Sequence, residues 1–226
     1  MIEFIDYKIN SGITNMQKDS EILESAIKLQ KKEAILRFYG WSPKCVSLGR
    51  NQDIKSINIE YCKNNKIDIV RRITGGRGLL HDYEVTYSFV CPFDFLISGN
   101  SIISSYKEIS AAIQEGFLKY LGIKLEIGGN KSINTSFDYC MSLSTRADLC
   151  CNGKKVIGSA QYRKQNYILQ HGSILFNYNP KEIENIFGEK PNQSSLTCIK
   201  ELNQELNEKD IIDALKKGFK DIFTKI

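Results

Sequence analysis

The chain has 226 residues, 42% hydrophobic and 25% charged, with a formal net charge of +5 and a pI near 8.7. Those are the proportions of a globular protein. No apolar run approaches the roughly 20 residues of a membrane helix, and no dense basic block marks a nucleic-acid binder.

The N-terminal MIEFIDYKIN lacks the basic-then-apolar pattern of a signal peptide, so the expected compartment is the cytoplasm, with neither nucleic acid nor membrane as partner. Seven cysteines, at 45, 62, 91, 140, 150, 151 and 198, form no framework spacing and no C-x-x-C. With only two histidines beside them, free thiols and no metal site are expected.

Residues 2–9 (IEFIDYKI) alternate as a strand. Thr14 is expected to cap a helix running to about residue 31 that buries Met16, Ile22, Leu23, Ala26 and Ile27. AILRFYGW (34–41) is a β-branched and aromatic strand broken by Ser42-Pro43, and a short helix is predicted at 58–65. IDIVRRI (67–73) reads as the strand entering a glycine loop, and EVTYSFV (84–90) as the strand leaving it. Over 101–120, Ile102, Tyr106, Ile109, Ile113 and Phe117 share one helical face, and Gly122 ends the helix. GGNKSINTSFDY (128–139) is polar and irregular and reads as a mobile loop.

ADLCC and KKVIGSAQ then flank Asn152-Gly153, a strong hairpin signal. YILQHGSILF (167–176) is the next strand. Helices follow near 180–187 and at 208–224, the second amphipathic through Ile212, Leu215, Phe219 and Ile222. No repeat or low-complexity tract divides residues 1–226, so a single domain is expected. Alternating helices and hairpin-joined strands give an α+β class, a mixed or antiparallel sheet with flanking helices.

Three segments carry chemistry. In Arg71-Arg72-Ile73-Thr74-Gly75-Gly76-Arg77-Gly78-Leu79-Leu80-His81-Asp82, three glycines in four positions let backbone amides approach a ligand. The pattern is neither a P-loop nor the dinucleotide fingerprint. Glycine spacing alone leaves a tight turn and a ligand cradle equally open. The second segment is Lys154-Lys155-Val156-Ile157-Gly158-Ser159-Ala160-Gln161, continued by Leu169-Gln170-His171-Gly172-Ser173. Alternation sets Lys155 opposite Val156 and beside Ile157, at least partly buried, and a buried lysine needs a partner or a task. Lys154 reads as a surface residue beside the turn. The third is Cys140. Taken alone, a cysteine there is more commonly an inert core thiol than a nucleophile. Cys150 and Cys151 are expected to face opposite sides.

Together these segments resemble the biotin/lipoate protein ligase catalytic family. RRITGGRGLLHD, KKVIGSAQ and LQHGSILF stand in the family's order and spacing, as do Asn15-Met16 with Asp19, and Leu36 to Trp41 leading to Ser47-Leu48-Gly49. The resemblance spans roughly residues 12 to 180. Within the family the cysteine-dependent octanoyltransferases are most similar. Arg77 stands where lipoate ligases more often have a third glycine. Cys140 lies eight residues ahead of the acid-Leu pair Asp148-Leu149, with Met141 in place of the usual aromatic.

The resemblance implies a mixed sheet with flanking helices and an apolar tunnel, forming an acyltransferase catalytic domain. It implies that octanoyl passes from octanoyl-acyl carrier protein through a Cys140 thioester to the lysine of an apo lipoyl domain. Acceptors of that kind include the glycine cleavage H protein and a 2-oxoacid dehydrogenase E2. Cys140 and Lys155 are the implied catalytic pair. The implied substrate-binding set is Arg72, Gly75, Gly76, Arg77, Gly78, Leu80, His81, Gly158, Ser159, Ala160, His171 and Gly172. No cofactor is implied.

The physics agrees. A thiol relay divides a slow aminolysis into two easier steps, a Lys155 ammonium favours negative charge on sulfur, and the amides of Gly75–Gly78 are candidate oxyanion donors. Burial of an eight-carbon chain contributes roughly 5 kcal/mol at about 0.8 kcal/mol per methylene. Leu79 and Leu80 are candidate lining and equally ordinary core. His81 and His171 fit a proton shuttle or structural hydrogen bonding. The family pattern, which places acid–base work on Cys and Lys, favours the second, and likewise makes Asp82 an organiser of the loop.

The alternatives are an ATP- and Mg-dependent lipoate or octanoate ligase, an octanoyl amidotransferase between lipoyl domains, and a non-catalytic lipoyl-domain binder. Only about 45 residues follow the last motif, which disfavours the self-sufficient ligase. Intact Cys140 and Lys155 disfavour the binder.

Overall fold

Two crossovers set the architecture of the computed structural model, which describes residues 1–129, 139–142 and 144–224. Strand β1 (Ile2–Asn10), helix α1 (Gly12–Lys28) and strand β2 (Ala34–Trp41) make the first, with β1 and β2 parallel. Strand β3 (Cys45–Leu48), helix α2 (Ile59–Asn64) and strand β4 (Asp68–Arg71) make the second, again parallel. A parallel pair needs such an out-of-plane return. Strands β5 (Leu79–His81) and β6 (Glu84–Pro92) follow the glycine loop. Next come helix α3 (Ile102–Leu121) and strands β7 (Glu126–Ile127), β8 (Leu149–Cys151), β9 (Lys154–Lys164) and β10 (Tyr167–Leu175). Helices α4 (Pro180–Phe187), α5 (Ile199–Leu202) and α6 (Glu208–Phe223) complete the described chain.

Among the described residues the strands form two sheets, one of seven strands in the order β1-β2-β6-β10-β9-β8-β7 and one of three in the order β4-β3-β5. Beyond the β1–β2 pair the large sheet is antiparallel. The class is therefore α+β with a mixed sheet, as the sequence implies. Its outer face carries α3 and α6, sealed by Phe89, Phe95, Phe219 and Phe223. The small sheet packs on α2 and α4 through Val46, Leu48, Leu80 and Ile183.

Several local expectations shift. Helix α1 begins at Gly12 under a Ser11 cap, not at Thr14, and ends at Lys28. Asn15, Asp19, Leu23 and Ala26 are its buried face, while Met16, Ile22 and Ile27 are half-buried. Polar Asn15 and Asp19 turn inward because both bond to Arg37, and this network outweighs the apolar stripe. Ile102 is 58% exposed, so the buried stripe of α3 starts a turn later. IDIVRRI and EVTYSFV belong to different sheets, with the short β5 between them. The 128–139 loop lies largely outside the described residues.

Helices α3 and α6 approach most closely where Gly116 meets Gly218. A Cβ on Gly218 would fall 2.5 Å from the Gly116 nitrogen and closer still to the Ala112 carbonyl. Gly218→Ala is expected to lower stability by about 1–3 kcal/mol. Urea unfolding checks this, and an unchanged midpoint would show that the helices have room to part.

Candidate active site

Lys155 is 1% exposed and its position depends on a bulge. Between Leu149 and Cys150 the β8–β9 register slips, so that Leu149 pairs with Ile157 but Cys150 with Lys155. An extra residue in one strand breaks simple alternation. Val156 and Ile157 therefore both enter the large core, and Lys155 does not share the face of Ile157 as alternation predicts. Its side chain instead runs beside Gly158, whose missing Cβ would lie 3.2 Å from Lys155 Cε. Nζ reaches Asp148 Oδ2 at 3.1 Å, the Cys140 carbonyl at 3.0 Å and Cys140 Sγ at 3.9 Å. Burial works against the ammonium, but Cys140 and Asp148 outweigh it and hold Lys155 above the ordinary lysine range. Asp148 also accepts from the Thr145 amide at 2.7 Å and from its hydroxyl at 2.9 Å.

Of the seven cysteines, Cys140 is partly exposed and the other six are buried. Burial pushes the thiols of Cys45, Cys62, Cys91, Cys150, Cys151 and Cys198 up. Cys151 joins the large core, whereas Cys150 lies against Ser144, as opposite sides require. Cys140 is anchored to the glycine loop by its amide, which donates to the Gly78 carbonyl at 2.8 Å.

Arg72 organises that loop. Its guanidinium donates to the Ser47 carbonyl and hydroxyl and to the carbonyls of Gly75 and Arg77, at 2.7–3.0 Å. The loop packs so closely on the end of β3 that a Cβ on Gly49 would overlap the Gly76 carbonyl, and Gly76 itself has φ +93°. Only glycine takes both constraints without strain.

A cavity opens between the two sheets. Cys140, Arg72, Gly76, His81, Gly158, Ser159, Ala160, His171 and Gly172 line it, with Leu79, Met16, Tyr39 and Trp41 as apolar wall. Gly75, Arg77, Gly78 and Leu80 do not. Gly75 and Arg77 serve Arg72 through their carbonyls, and Gly78 serves Cys140. For Leu80 the structure favours ordinary core, one of the two readings open to it. Along β5 neighbouring side chains alternate, so Leu79 and His81 face the cavity while Leu80 packs into the second core.

Both histidines are fully engaged. His81 Nε2 meets Ser47 Oγ at 2.7 Å and Nδ1 meets Glu84 Oε1 at 2.8 Å, with the ring stacked on Trp41. His171 Nε2 meets Thr74 Oγ1 at 2.7 Å and Nδ1 meets Asp19 Oδ2 at 3.0 Å. Asp82 pairs with Lys44 at 2.9 Å, which also holds Glu182. Sequence reasoning gave no role to Glu84, Thr86 or Ser173. The available signal was the alternation Glu84, Thr86, Ser88 in a strand otherwise apolar.

With this geometry in place the comparisons are specific. Residues 11–220 match the model of the lipoyl protein ligase A/B catalytic domain, and the chain belongs to that family. It is 35% identical to octanoyltransferase LipM of Macrococcus caseolyticus over 81% of this chain and 69% of that protein. It is 38% identical to octanoyltransferase LipM of Carboxydothermus hydrogenoformans over 76% and 64%, and 34% identical to the Clostridioides difficile octanoyltransferase LipM over 95% and 82%. The match thus spans about two thirds of the length of the first two relatives. Among solved structures, P. falciparum LipL1 in complex with lipoate superposes with a TM-score of 0.78 at 21% identity, over 100% of this chain and 63% of that one. A bi-partite lipoate protein ligase of Thermoplasma acidophilum gives 0.73 at 20%, over 99% and 85%. These two share the fold.

Asp19 underpins the cavity floor, paired with Arg37 at 2.7 Å and bonded by Tyr39 and His171. Burial alone would raise its carboxyl, but His171, Arg37 and Tyr39 hold it below the ordinary value. Its contribution is thus present above the unfolded-state pKa of about 3.9 and lost as pH falls further. Asp19→Ala is expected to cost about 3–5 kcal/mol at neutral pH by stranding Arg37. Urea midpoints measured from pH 6 to pH 3 should fall less steeply in the variant than in the wild type, and parallel curves would refute the assignment.

Proposed function

We propose that this chain is a cytoplasmic octanoyltransferase of lipoate biosynthesis. It takes octanoyl from octanoyl-acyl carrier protein onto Cys140 and delivers it to the lysine of an apo lipoyl domain, such as that of a glycine cleavage H protein or a 2-oxoacid dehydrogenase E2. The observation that carries this reading is the Lys155 ammonium buried 3.9 Å behind the Cys140 sulfur, which itself lines a largely apolar cavity. The octanoyltransferase relatives support the acyl group, and the lipoyl protein ligase family supports the acceptor class.

In the first half-reaction the Cys140 sulfur attacks the carrier thioester and the carrier thiol leaves. The cation beside the sulfur stabilises its negative charge, and so favours the nucleophilic form. Stabilisation of the charge that develops on the acyl oxygen falls in this reading to the same cation and to the glycine loop, of which Gly76 lines the cavity. In the second half-reaction the acceptor amine displaces the sulfur, regenerating the thiol. The proposed reaction uses neither ATP nor metal, because the acyl group arrives already activated.

Intact-mass measurement tests this. Mixed with octanoyl-acyl carrier protein and no ATP, the protein is expected to gain one hydroxylamine-labile octanoyl group. Cys140→Ala should gain none, while Cys150→Ala and Cys151→Ala load normally. Lys155→Ala should load about 100-fold more slowly, and Lys154→Ala close to the wild-type rate. If no adduct forms, but free octanoate with ATP acylates a lipoyl domain, the ligase reading replaces this one.

A further inference from the structure

The cavity has a straight floor. Strands β2, β6, β10 and β9 lie side by side in the large sheet. Their registers set Tyr39, Thr86, Ser173 and Gly158 opposite one another, in one row that crosses all four strands. Each of the four lines the cavity. At the β9 end a Cβ on Gly158 would lie 3.2 Å from Lys155 Cε, and Lys155 Nζ is 3.9 Å from the Cys140 sulfur. The row therefore begins beside the nucleophile. Its middle is low, because Gly158 has no side chain and Ser173 and Thr86 have short ones. Both hydroxyls donate to Glu84, so neither is left as an unsatisfied donor beneath an apolar ligand. Leu79 lines the same cavity from the small sheet.

The other end of the row is shut. Trp41 follows Tyr39 on the same face of β2, with the ring centroids 5.6 Å apart. Its Nε1 donates to Thr86 Oγ1 at 2.8 Å. Its indole stacks on His81 of the small sheet, with centroids 3.8 Å apart and planes 15° from parallel. The two sheets touch at that stack, and the space between them closes. The imidazole is fixed in turn, one nitrogen meeting Ser47 at 2.7 Å and the other Glu84 at 2.8 Å. Buried Tyr39, Cys45 and Val70 pack with the indole.

The length of the row suits an eight-carbon chain. Three strand spacings of about 4.8 Å separate its β9 and β2 ends, roughly 14 Å in all. Contact with the wall takes about 4 Å of that, which leaves roughly 10 Å. The seven C–C bonds of an extended octanoyl group, about 1.5 Å each in a zigzag, reach about 9 Å. Four further methylenes would add about 5 Å.

Resting on the octanoyltransferase reading, we propose that Trp41 sets the length of acyl group this enzyme accepts. It closes the row that starts beside Cys140, so that octanoyl fills the space and dodecanoyl overruns it. Longer chains are rejected by overpacking against a wall whose ring is bonded and stacked in place. Shorter chains bury less surface and bind less well. The selection is therefore two-sided.

Intact mass reads the rate at which Cys140 is loaded from octanoyl-, decanoyl- and dodecanoyl-acyl carrier protein in the wild type, Trp41→Ala and Trp41→Phe. The quantity compared is the ratio of rates within each protein, which a general loss of stability or activity does not move. The wild type is expected to load octanoyl at least about 100-fold faster than dodecanoyl. In Trp41→Ala the space of the indole extends the row, and the dodecanoyl-to-octanoyl ratio should rise by about 100-fold. Trp41→Phe opens less space and should raise the decanoyl-to-octanoyl ratio by about 10-fold. A wild type that loads dodecanoyl as fast as octanoyl, or a Trp41→Ala protein that loads octanoyl with its ratio unchanged, overturns the role of Trp41 and leaves the octanoyltransferase reading standing. Should Trp41→Ala fail to fold or to load, the decanoyl ratio of Trp41→Phe decides alone. A wild type that takes no acyl group from any of the carriers overturns the octanoyltransferase reading and the role of Trp41 with it.

Discussion

A lysine ammonium removed from water is the constraint on which the rest of this site depends. Burying an unpaired charge costs several kcal/mol even after relaxation, so the fold must surround Lys155 with oxygen. Among the described residues it does so from two directions and fixes the backbone besides. Asp148 supplies the countercharge and is itself fixed by Thr145. The Cys140 carbonyl accepts from Nζ and thereby sets the turn that carries the sulfur. The backbone of Lys155 is pinned on both sides by the 195–197 segment, with bonds to Ser195 and from Thr197. The bulge in β8–β9 is what frees this side chain from the core face its neighbours occupy. The nucleophile's position is thus a consequence of satisfying the cation.

A second buried cation shapes the opposite wall. Arg72 folds the glycine loop back on itself through the carbonyls of Gly75 and Arg77 and ties it to β3 through Ser47. The loop in turn holds Cys140 by the Gly78 carbonyl. Cys140 is therefore clamped between two cationic frameworks, one from each sheet. The cavity between them carries apolar side chains such as Met16, Trp41 and Leu79 beside a polar stripe from β6 and β10. An acyl chain and a charged reaction centre need that division.

Long elements were legible from the chain alone because their periodicity is strong. The α3 stripe, the Asn152-Gly153 hairpin and the β10 run all read directly. Cys140 stood out only through its place in an order of segments that resembles the family's, whereas Lys155 was marked as well by its place on an apolar strand. The rest depended on contacts distant in sequence. Strands β3 and β5 have four and three residues, too short for a period, and exist because they pair with each other and β3 pairs in turn with β4. The choice between Leu79 and Leu80 turned on register. The inward face of α1 is polar, and only Arg37, more than fifteen residues away, explains why Asn15 and Asp19 lie there. Glu84 and Thr86 were visible as polar interruptions of an apolar strand. Their partner His81 sits three residues before Glu84, but Ser47 is 34 residues from His81.

The two half-reactions make opposite demands. Forming the thioester calls for a positive charge that stays beside the sulfur, whereas aminolysis calls for a group able to acquire one. An ammonium gives the thiolate its countercharge, and the Cys140 charge that favours the Lys155 ammonium is gone once the sulfur is acylated. Environments that push titratable groups apart resolve such conflicts. Here Asp148 and Cys140 keep Lys155 charged. Glu84 meets His81 Nδ1 at 2.8 Å and accepts from Thr86 and Ser173. His171 has the same hydroxyl and carboxylate, but Arg37 has already neutralised its Asp19. The two histidine chains line one cavity and differ in one arginine, which pairs with the carboxylate beneath His171 and has no counterpart at Glu84 among the described residues.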